Sequence, residues 1–479
     1  MLFNSIEFAI FLPIVFLLYW FPLKNQLKGQ NLLLLAASYV FYGWWDYRFL
    51  TLIAFSSVLD YFVGIKIHQA KEAIWRKFFL YLSIFVNLGF LGFFKYYNFF
   101  ATSFADAFTL LGQPLEVERL NIILPIGISF YTFQTLSYSI DIYKKKLLPS
   151  KDFISFAAFV SFFPQLVAGP IERATNLLPQ FAKKRTFDYN SAVDGLRQIL
   201  WGLFKKVVIA DNCAIYANQI FNNYLDYSGS TLVLGTVFFA FQIYGDFSGY
   251  SDMAIGTARL FGFKLMRNFA FPYFSRDIAE FWRRWHISLT IWFRDYLYIP
   301  LGGSKGGTLN KIRNTFIIFL VSGFWHGANW TFIVWGFLNA CYFLPLMLLN
   351  KNKTHTDIVA AGRWFPSLLE FFQILTTFSL NCVAWVFFRS DSIPRAGVYI
   401  RRVLTPELFT LPKVLPTGLL CLILFFILIE WVGREKEHPL EFSPSTSTTI
   451  GLRWGIYLTL ILFILYFGAL KQEFIYFQF

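Results

Sequence analysis

Two of the five histidines stand where an ionisable side chain calls for an explanation. His326 lies in the sequence SGFWHGANW, with long apolar runs on both sides. An ionisable group among apolar helices at membrane depth costs several kcal/mol, so it normally faces a cavity or a partner. A core histidine hydrogen-bonded to a carbonyl is the alternative. His286 precedes it in an aromatic, basic segment, close enough in sequence to reach the same pocket.

These two histidines suit the transfer of an acyl group from a thioester to a hydroxyl. The attack needs a base near the hydroxyl and a group that stabilises the tetrahedral oxyanion. One histidine for proton transfer and a second to position substrate would suffice, with neither a metal ion nor a covalent nucleophile. Asn329, three residues after His326 and hence on the same helical face, is predicted to orient its ring. Trp325 and Trp285, each directly before a histidine, are the predicted pocket walls.

Motifs of other functional classes are weak or missing. Residues 302–306, Gly-Gly-Ser-Lys-Gly, match the Gly-x-Ser-x-Gly nucleophile elbow but lack its strand-to-helix setting. The sequence has neither a P-loop nor a His-Glu-x-x-His zinc helix. Asp246 and Asp252 lie in an apolar run and could serve a proton-coupled transporter. They could equally cap or pair helices. A polysaccharide or ion transporter is therefore the non-enzyme alternative.

The other three histidines, His68, His355 and His438, lie beside charged or polar residues and are expected to be solvated. This leaves only His286 and His326 as candidate catalytic residues.

The elements that must position these residues are membrane helices. The 479 residues are 56% hydrophobic and only 15% charged, against about 25% charged in a typical soluble protein. A helix needs roughly 20 apolar residues to span the ~30 Å hydrocarbon core. Allowing two passes in the longest runs, we expect roughly ten to thirteen membrane-embedded helices in one all-α domain over residues 1–479. The apolar runs are Ser5–Phe21, Phe78–Phe94, Asn121–Ile140, Ser230–Met253, Asn314–Leu349, Leu368–Phe388, Leu415–Val432 and Ile450–Phe467.

The formal charge of +14 is typical of cytoplasmic loops and contacts with anionic lipids, so we expect membrane lipids but no nucleic acid as partners. The run Ser5–Phe21 follows no basic region and precedes no small-residue cleavage site, which predicts an uncleaved first helix. Basic residues after the first two apolar stretches place those loops in the cytoplasm. If each apolar run crosses the membrane once, the basic stretch Lys144–Lys151 falls on the wrong side for a cytoplasmic loop, and a re-entrant segment nearby would correct this.

Residues Arg259–Arg313 form a basic, aromatic segment that cannot be an ordinary transmembrane helix. The segment holds ten Lys or Arg residues against three acidic ones, with Trp and Phe interleaved. Such segments lie at the membrane interface, with rings among the headgroups and charges in water. It is either a cytoplasmic interfacial anchor or, in addition, the entrance for a donor that carries phosphates, such as acyl coenzyme A. Arg283, Arg284 and Lys305 are the candidate donor-binding residues.

Six stretches of the chain carry a resemblance to a known family. They read LPIGISFYTFQTLSYSIDIYK, FPQLVAGPIER, YGDFSGYSDMAIGTARLFGF, FWRRWHISLTIWFRDYLYIPLGG, SGFWHGANWTFIVWG and AWVFFR. They resemble the bacterial branch of the MBOAT (membrane-bound O-acyltransferase) family, of the alginate O-acetyltransferase membrane-subunit type, with relatives that acetylate other exopolysaccharides or peptidoglycan. The likeness runs from about Met1 to Arg389 and is densest from Leu124 to Trp335.

The resemblance implies a ring of transmembrane helices around a central funnel or tunnel, with re-entrant and interfacial helices. His326 matches the family's invariant histidine, and His286 matches its second, cytoplasm-facing one. The implied activity is O-acylation. An acyl group, expected to be acetyl, passes from a cytoplasmic donor such as acetyl coenzyme A to a hydroxyl of an extracytoplasmic polysaccharide or cell-wall glycan. The implied location is the bacterial cytoplasmic (inner) membrane.

The resemblance also implies an extracytoplasmic partner of the SGNH, hydrolase-like type, which completes transfer to the polymer. It implies no bound cofactor beyond the acyl coenzyme A donor. Within the family, the alternative is a D-alanyl transferase for teichoic acid, which shares the same histidines and takes its donor from a carrier protein.

Overall fold

The computed structural model describes residues 1–442, 450–468 and 472–475. Every regular element over these residues is helical. Six helical segments are long and apolar enough to cross a membrane, and two shorter apolar helices accompany them. The prediction of an all-α polytopic membrane protein is thereby confirmed. The six segments are Leu27–Gln69, Ala73–Leu110, Gly229–Leu260, Trp330–Leu348, Leu368–Arg389 and Ile450–Phe467, and the shorter helices are Ile6–Trp20 and Thr417–Gly433.

The six segments in the described part of the chain cannot be compared one for one with the roughly ten to thirteen embedded helices expected, because a segment can hold more than one helix. Two of the six segments have 43 and 38 residues, about twice what one crossing needs. Each is interrupted by a 3₁₀ or π turn, at Tyr47–Phe49 and Gly92–Tyr96. The predicted run Asn121–Ile140 overlaps a helix, Ile128–Tyr143, in which nearly every side chain is buried. Apolar composition alone does not separate a lipid-facing helix from one packed inside the protein.

The chain divides into two compact units, and the first comprises residues 1–189 and 258–266. The single domain predicted over residues 1–479 stays a prediction. The helices of the first unit are α1 (Ile6–Trp20), α2 (Leu27–Asp46), α3 (Leu50–Gln69), α4 (Ala73–Leu91), α5 (Tyr97–Leu110), α6 (Ile128–Tyr143), α7 (Phe153–Ser161) and α8 (Ala174–Phe181).

Two basic loops of the first unit lie side by side. The Arg76 guanidinium donates to the Tyr143 carbonyl at 2.7 Å and also lies over the Tyr143 ring. This contact joins the first turn of α4 to the end of α6. The stretch Lys144–Lys151 therefore begins on the same face as the loop 70–72, which the alternation of sides predicts to be cytoplasmic.

The second unit comprises residues 190–257 and 267–479, as far as they are described, and carries both candidate histidines. Helix α11 begins in this unit, and its last residues belong to the first. The helices are α9 (Tyr189–Phe204), α10 (Asp211–Asn222), α11 (Gly229–Leu260), α12 (Ile278–Arg284), α13 (Ile287–Phe293), α14 (Thr308–His326), α15 (Trp330–Leu348), α16 (Leu368–Arg389), α17 (Ile393–Val403), α18 (Thr417–Gly433) and α19 (Ile450–Phe467).

Helices α14 and α15 pack so closely that only glycine fits at two points of contact. A Cβ built at Gly323 would overlap the carbonyl oxygen of Phe332, and one built at Gly336 would overlap that of Phe319. Close approach of two helix backbones through small residues is a common way to pack helices in membranes. The glycines therefore fix the end of α14, where His326 stands.

Gly323→Ala should destabilise the protein by about 1–3 kcal/mol, because the added methyl must push the two backbones apart. The matched control is Gly455→Ala in α19, where a Cβ meets nothing within 4 Å. Thermal unfolding of both purified variants in the same detergent checks the prediction. A similar loss of stability in both variants, or in neither, would contradict the packing account.

Candidate active site

His326 is the last residue of α14 and is buried, with only 4% of its surface exposed. Its Nδ1 lies 2.7 Å from the carbonyl oxygen of Ser322, one helical turn back. Because a carbonyl oxygen can only accept, Nδ1 carries the proton, and the lone pair of the neutral ring is on Nε2. The helix thus fixes the tautomer of His326 and leaves Nε2 as its basic atom.

The prediction that Asn329 orients the His326 ring is wrong in its geometry. Helix α14 ends at His326 because Gly327 is extended, with φ −159°. Asn329 is instead the N-cap of α15, where its side chain accepts the N–H of Thr331. The two residues therefore do not share a helical face, and the ring is held by the Ser322 carbonyl.

His286 is fully buried at the sharp turn between α12 and α13, with a left-handed backbone (φ 44°). Its Nδ1 lies 3.1 Å from Asn268 Oδ1. Asn268 Oδ1 also accepts from the Ser288 hydroxyl at 2.9 Å, while its Nδ2 donates to Ser251. This pattern makes Oδ1 an acceptor, so His286 Nδ1 carries the proton. The Asn268 carbonyl also accepts the N–H of Ile287, which pins the turn itself.

The two imidazole rings lie next to each other, with centroids 6.3 Å apart and planes nearly perpendicular at 83°. Trp325 contacts both rings, at 4.9 Å from His326 and 6.0 Å from His286. Phe247 packs on His286 with ring centroids 4.6 Å apart, and Trp335 packs on His326 with ring centroids 5.0 Å apart. Trp325 therefore occupies the wall position predicted for it. The structure brings the two candidate histidines together in one aromatic pocket of the second unit.

Trp285 was predicted to line the pocket, but Trp385 and Trp335 lie between its ring and the ring of His326. Its ring packs on Trp385 at 5.2 Å, and Trp385 in turn stacks on Trp335, which contacts His326. Trp285 therefore supports the pocket through other aromatic rings.

Burial, and secondarily the nearby His326, lower the pKa of His286 well below its usual value. The neutral ring, with its lone pair on Nε2, is therefore the form present at neutral pH. His286 Nε2 has no hydrogen-bond partner among the described residues. Leaving a buried polar atom unsatisfied costs about 1–3 kcal/mol. A substrate O–H donated to this nitrogen would remove that cost, so the pocket suits a hydroxyl compound.

The predicted donor-binding residues fall into two groups. Arg283 donates to two backbone carbonyls of the loop 352–357. Arg284 pairs with Glu280 at 2.8 Å and donates to a carbonyl of the same loop. Both arginines thus join α12 to the loop 352–357. Lys305 is exposed in its glycine-rich loop and remains a candidate for donor binding.

Asp246 and Asp252, the two aspartates behind the transporter alternative, both form ion pairs. Asp246 lies 2.7 Å from Lys206, and Asp252 lies 2.6 Å from Lys205. Both lysines belong to the π turn that joins α9 to α10. The carboxylates therefore tie α11 to this turn, which confirms the helix-pairing interpretation.

Two residues were misjudged or missed from the sequence. His438 is buried, with Nε2 3.1 Å from Asp194, so the expectation of a solvated histidine is wrong. Asn268 was not singled out, because an asparagine in a basic loop carries no pattern that predicts its contact with His286. The left-handed backbone of His286 is the local feature that brings its ring to Asn268, and it is visible in the structure but not in the sequence.

Asn268→Asp should shift the acid limb of the pH–rate profile to higher pH by about one unit or more. A carboxylate facing Nδ1–H raises the pKa of His286, so the neutral ring is lost at a higher pH as the solution is acidified. Acyl transfer rates measured across pH check this. The matched control is Asn339→Asp, since Asn339 is equally buried but bonds Trp282 and Trp335. The same shift in the control would refute a positioning role for Asn268.

The chain matches the model of the MBOAT, membrane-bound O-acyltransferase, family over residues 144–388. It is 42% identical over 398 residues to the "Probable alginate O-acetylase" of Pseudomonas aeruginosa, covering 82% of this chain and 73% of that one. It is 39% identical over 426 residues to the peptidoglycan O-acetyltransferase of Helicobacter pylori, covering 83% and 78%. The teichoic acid D-alanyltransferase of Streptococcus thermophilus is more distant, at 28% identity over 55% of this chain and 68% of that one.

The family match includes both histidines, the turn that carries His286, and the hairpin that carries His326. The protein therefore belongs to the membrane-bound O-acyltransferase family and is an O-acyltransferase of multi-pass membrane architecture.

Proposed function

We propose that this enzyme moves an acetyl group from acetyl coenzyme A in the cytoplasm to a hydroxyl of an extracytoplasmic polysaccharide or cell-wall glycan. The observation that carries the proposal is the pair of buried imidazoles with centroids 6.3 Å apart, both with Nδ1 committed to an oxygen acceptor. The names of its relatives supply the substrate class, since alginate and peptidoglycan are both polymers outside the cytoplasm.

His326 acts as the general base in this proposal. Its Nε2 takes the proton of the attacking hydroxyl as the new C–O bond forms at the thioester carbonyl. The tetrahedral intermediate then collapses, the C–S bond breaks, and the proton passes from Nε2 to the departing sulfur. The products are an O-acetyl ester and free coenzyme A. The Ser322 carbonyl, 2.7 Å from Nδ1, stabilises the imidazolium that exists between the two proton transfers.

His286 positions the acceptor hydroxyl. Its Nε2 accepts a hydrogen bond from a neighbouring O–H of the acceptor, which leaves the proton of the attacking hydroxyl to His326, while Asn268 holds the other nitrogen at 3.1 Å. An acceptor held in this way has its attacking hydroxyl oriented towards His326 before the reaction, and such orientation lowers the entropic part of the barrier. The aromatic side chains around both rings exclude competing water, which would hydrolyse the thioester.

The proposed setting is the bacterial cytoplasmic membrane, with an SGNH-type partner on the outer side that completes transfer to the polymer. The D-alanyl transferase alternative rests on relatives of 28% identity, against about 40% for the O-acetyltransferases. Acetyl transfer is therefore favoured over D-alanyl transfer.

Lys305→Gln should raise the KM for the donor severalfold and reduce its salt dependence, while kcat changes little. An exposed cation attracts the phosphates of coenzyme A by a screened interaction that contributes to binding and not to the chemical step. Steady-state kinetics at two ionic strengths check this, with Lys353→Gln, another lysine in a loop of the same unit, as control. An unchanged donor KM in the Lys305 variant would leave this lysine without a role in donor binding.

The experiment that tests the proposed function compares two labelled donors. Membranes containing the enzyme and a candidate SGNH-type partner are supplied either with radiolabelled acetyl coenzyme A or with D-alanine attached to a carrier protein. We expect label in the glycan from the first donor only. Label from the carrier protein alone would overturn the acetyl assignment, and label from neither donor would overturn both.

A further inference from the structure

A basic cavity of about 510 Å³ lies on the first unit, away from the histidine pair in sequence and in unit. One side is formed by residues 67–71, at the end of α3 and in the loop after it. The other side is formed by residues 145–148, in the loop after α6. None of the described residues that line it is acidic. Its cationic side chains are Lys71, Arg76, Lys145 and Lys146, and His68 lies beside them.

The positive charge around the cavity exceeds the negative charge of the nearby acidic residues and helix ends. The two chain segments 66–77 and 141–151 hold eight Lys or Arg residues, against Glu72 and Asp141. Helices α3 and α6 both end at the cavity, and each carboxyl terminus carries roughly half a negative charge. Two helix ends therefore offset only about one of the excess positive charges. The remainder fits an anionic ligand.

The cavity is shaped by contacts of the protein itself. Arg76 joins α4 to the Tyr143 carbonyl at 2.7 Å. The end of α6 closes with two hydrogen bonds, from Lys145 N–H to the Ile142 carbonyl and from Lys146 N–H to the Asp141 carbonyl. This arrangement usually has glycine at its left-handed position, yet Lys145 occupies it with φ 57°. The turn therefore directs two successive lysines to one site.

The cavity lies beside the ends of two apolar segments that are long enough to cross a membrane. It opens between the end of the membrane segment Leu27–Gln69 and the start of the segment Ala73–Leu110. Leu148, which lines the cavity, is 72% exposed, and Ile74 and Trp75, in the same turn of α4 as Arg76, are 71% and 53% exposed. Tryptophan and aliphatic side chains beside lysines are typical of the membrane interface, where rings and alkyl groups contact lipid and cations contact phosphate.

We propose that this cavity binds the phosphate of an anionic membrane lipid, with Lys71, Lys145 and Lys146 as its direct ligands. Basic pockets between membrane helices on the cytoplasmic side bind anionic headgroups by this chemistry. The same phosphate chemistry could be offered by a soluble molecule such as coenzyme A. The exposed apolar rim favours the lipid, because a soluble phosphate ester would gain nothing from it.

The test uses the full-length enzyme in detergent micelles and two double variants. Lys145→Gln/Lys146→Gln removes two cavity lysines, and Lys183→Gln/Lys184→Gln removes an equally exposed adjacent pair elsewhere in the same unit. Retention of fluorescent phosphatidylglycerol is measured against phosphatidylcholine, with and without excess coenzyme A. Thermal unfolding confirms that both variants are folded.

We expect the wild type and the 183/184 variant to retain phosphatidylglycerol in preference to phosphatidylcholine. The 145/146 variant should lose roughly tenfold or more of that preference, since each lysine near an anionic surface contributes about 1 kcal/mol. An equal loss in both variants would show general charge attraction and overturn the site. No loss in either would do the same. Displacement of the lipid by coenzyme A at micromolar concentration would overturn the lipid as the ligand.

Discussion

His326→Ala should lower acyl transfer by about 10²–10⁴-fold while the protein still inserts and folds. The loss follows from the ring geometry, because Nδ1 donates to the Ser322 carbonyl and the lone pair of the neutral ring is on Nε2. Trp325, Trp335 and Phe388, which contact the ring, are aromatic and offer no basic atom in its place. Transfer to the acceptor is measured in membranes that contain matched amounts of wild-type and variant protein.

The control for this prediction is His438→Gln, which alters a buried histidine that pairs with Asp194 and belongs to the same unit. The control variant should lose stability but keep its turnover per folded molecule. His286→Ala should impair turnover less than His326→Ala does, because it positions substrate and does not carry the proton. Equal, partial losses in all three variants would point to a general packing effect and contradict the assignment of the base.

Lys206→Met should destabilise the protein by about 3–5 kcal/mol. Lys206 is 4% exposed, and its Nζ lies 2.8 Å from Asp211 and 2.7 Å from Asp246. Removal of the Lys206 cation, which pairs with both buried carboxylates, leaves the two carboxylates to repel each other without water. The same cluster holds the end of the described chain, where the N–H of Ile475 donates to Asp246. Thermal unfolding in detergent measures the effect.

A rescue variant separates this charge effect from a loss of packing. Lys206→Met combined with Asp211→Asn and Asp246→Asn removes the repulsion and should recover much of the stability. The exposed Lys183→Met serves as control and should change stability by less than about 0.5 kcal/mol. If the triple variant is no more stable than Lys206→Met alone, the ion cluster is not the source of the loss.

Several features of the site could be predicted from the sequence, because they depend on local pattern. The apolar runs around His326 place an ionisable group inside the membrane region, and Gly327 with Asn329 forms the break that ends its helix. The scarcity of histidine made His286 and His326 stand out among 479 residues. The glycine in that break was nevertheless overlooked, and this is why Asn329 was assigned to the wrong helical face.

The rest of the site depends on contacts between residues that are far apart in sequence. Arg283 was predicted to contact the donor, yet it donates to carbonyls about seventy residues later. Asn268 holds His286 across 18 residues and through a left-handed turn that no residue pattern indicates. Likewise, the pairing of Asp246 with Lys206 joins different helices. Such partners are set by tertiary packing, and composition or periodicity does not encode them locally.

The most direct test of the account is acyl transfer across a sealed membrane. Proteoliposomes are prepared with the enzyme, radiolabelled acetyl coenzyme A is supplied on one side only, and the SGNH-type partner with its glycan is supplied on the other. We expect O-acetylated glycan on the far side with the wild type, and none above background with His326→Ala at equal protein content. Equal labelling by wild type and His326→Ala would contradict the claim that His326 is the catalytic base of the transfer.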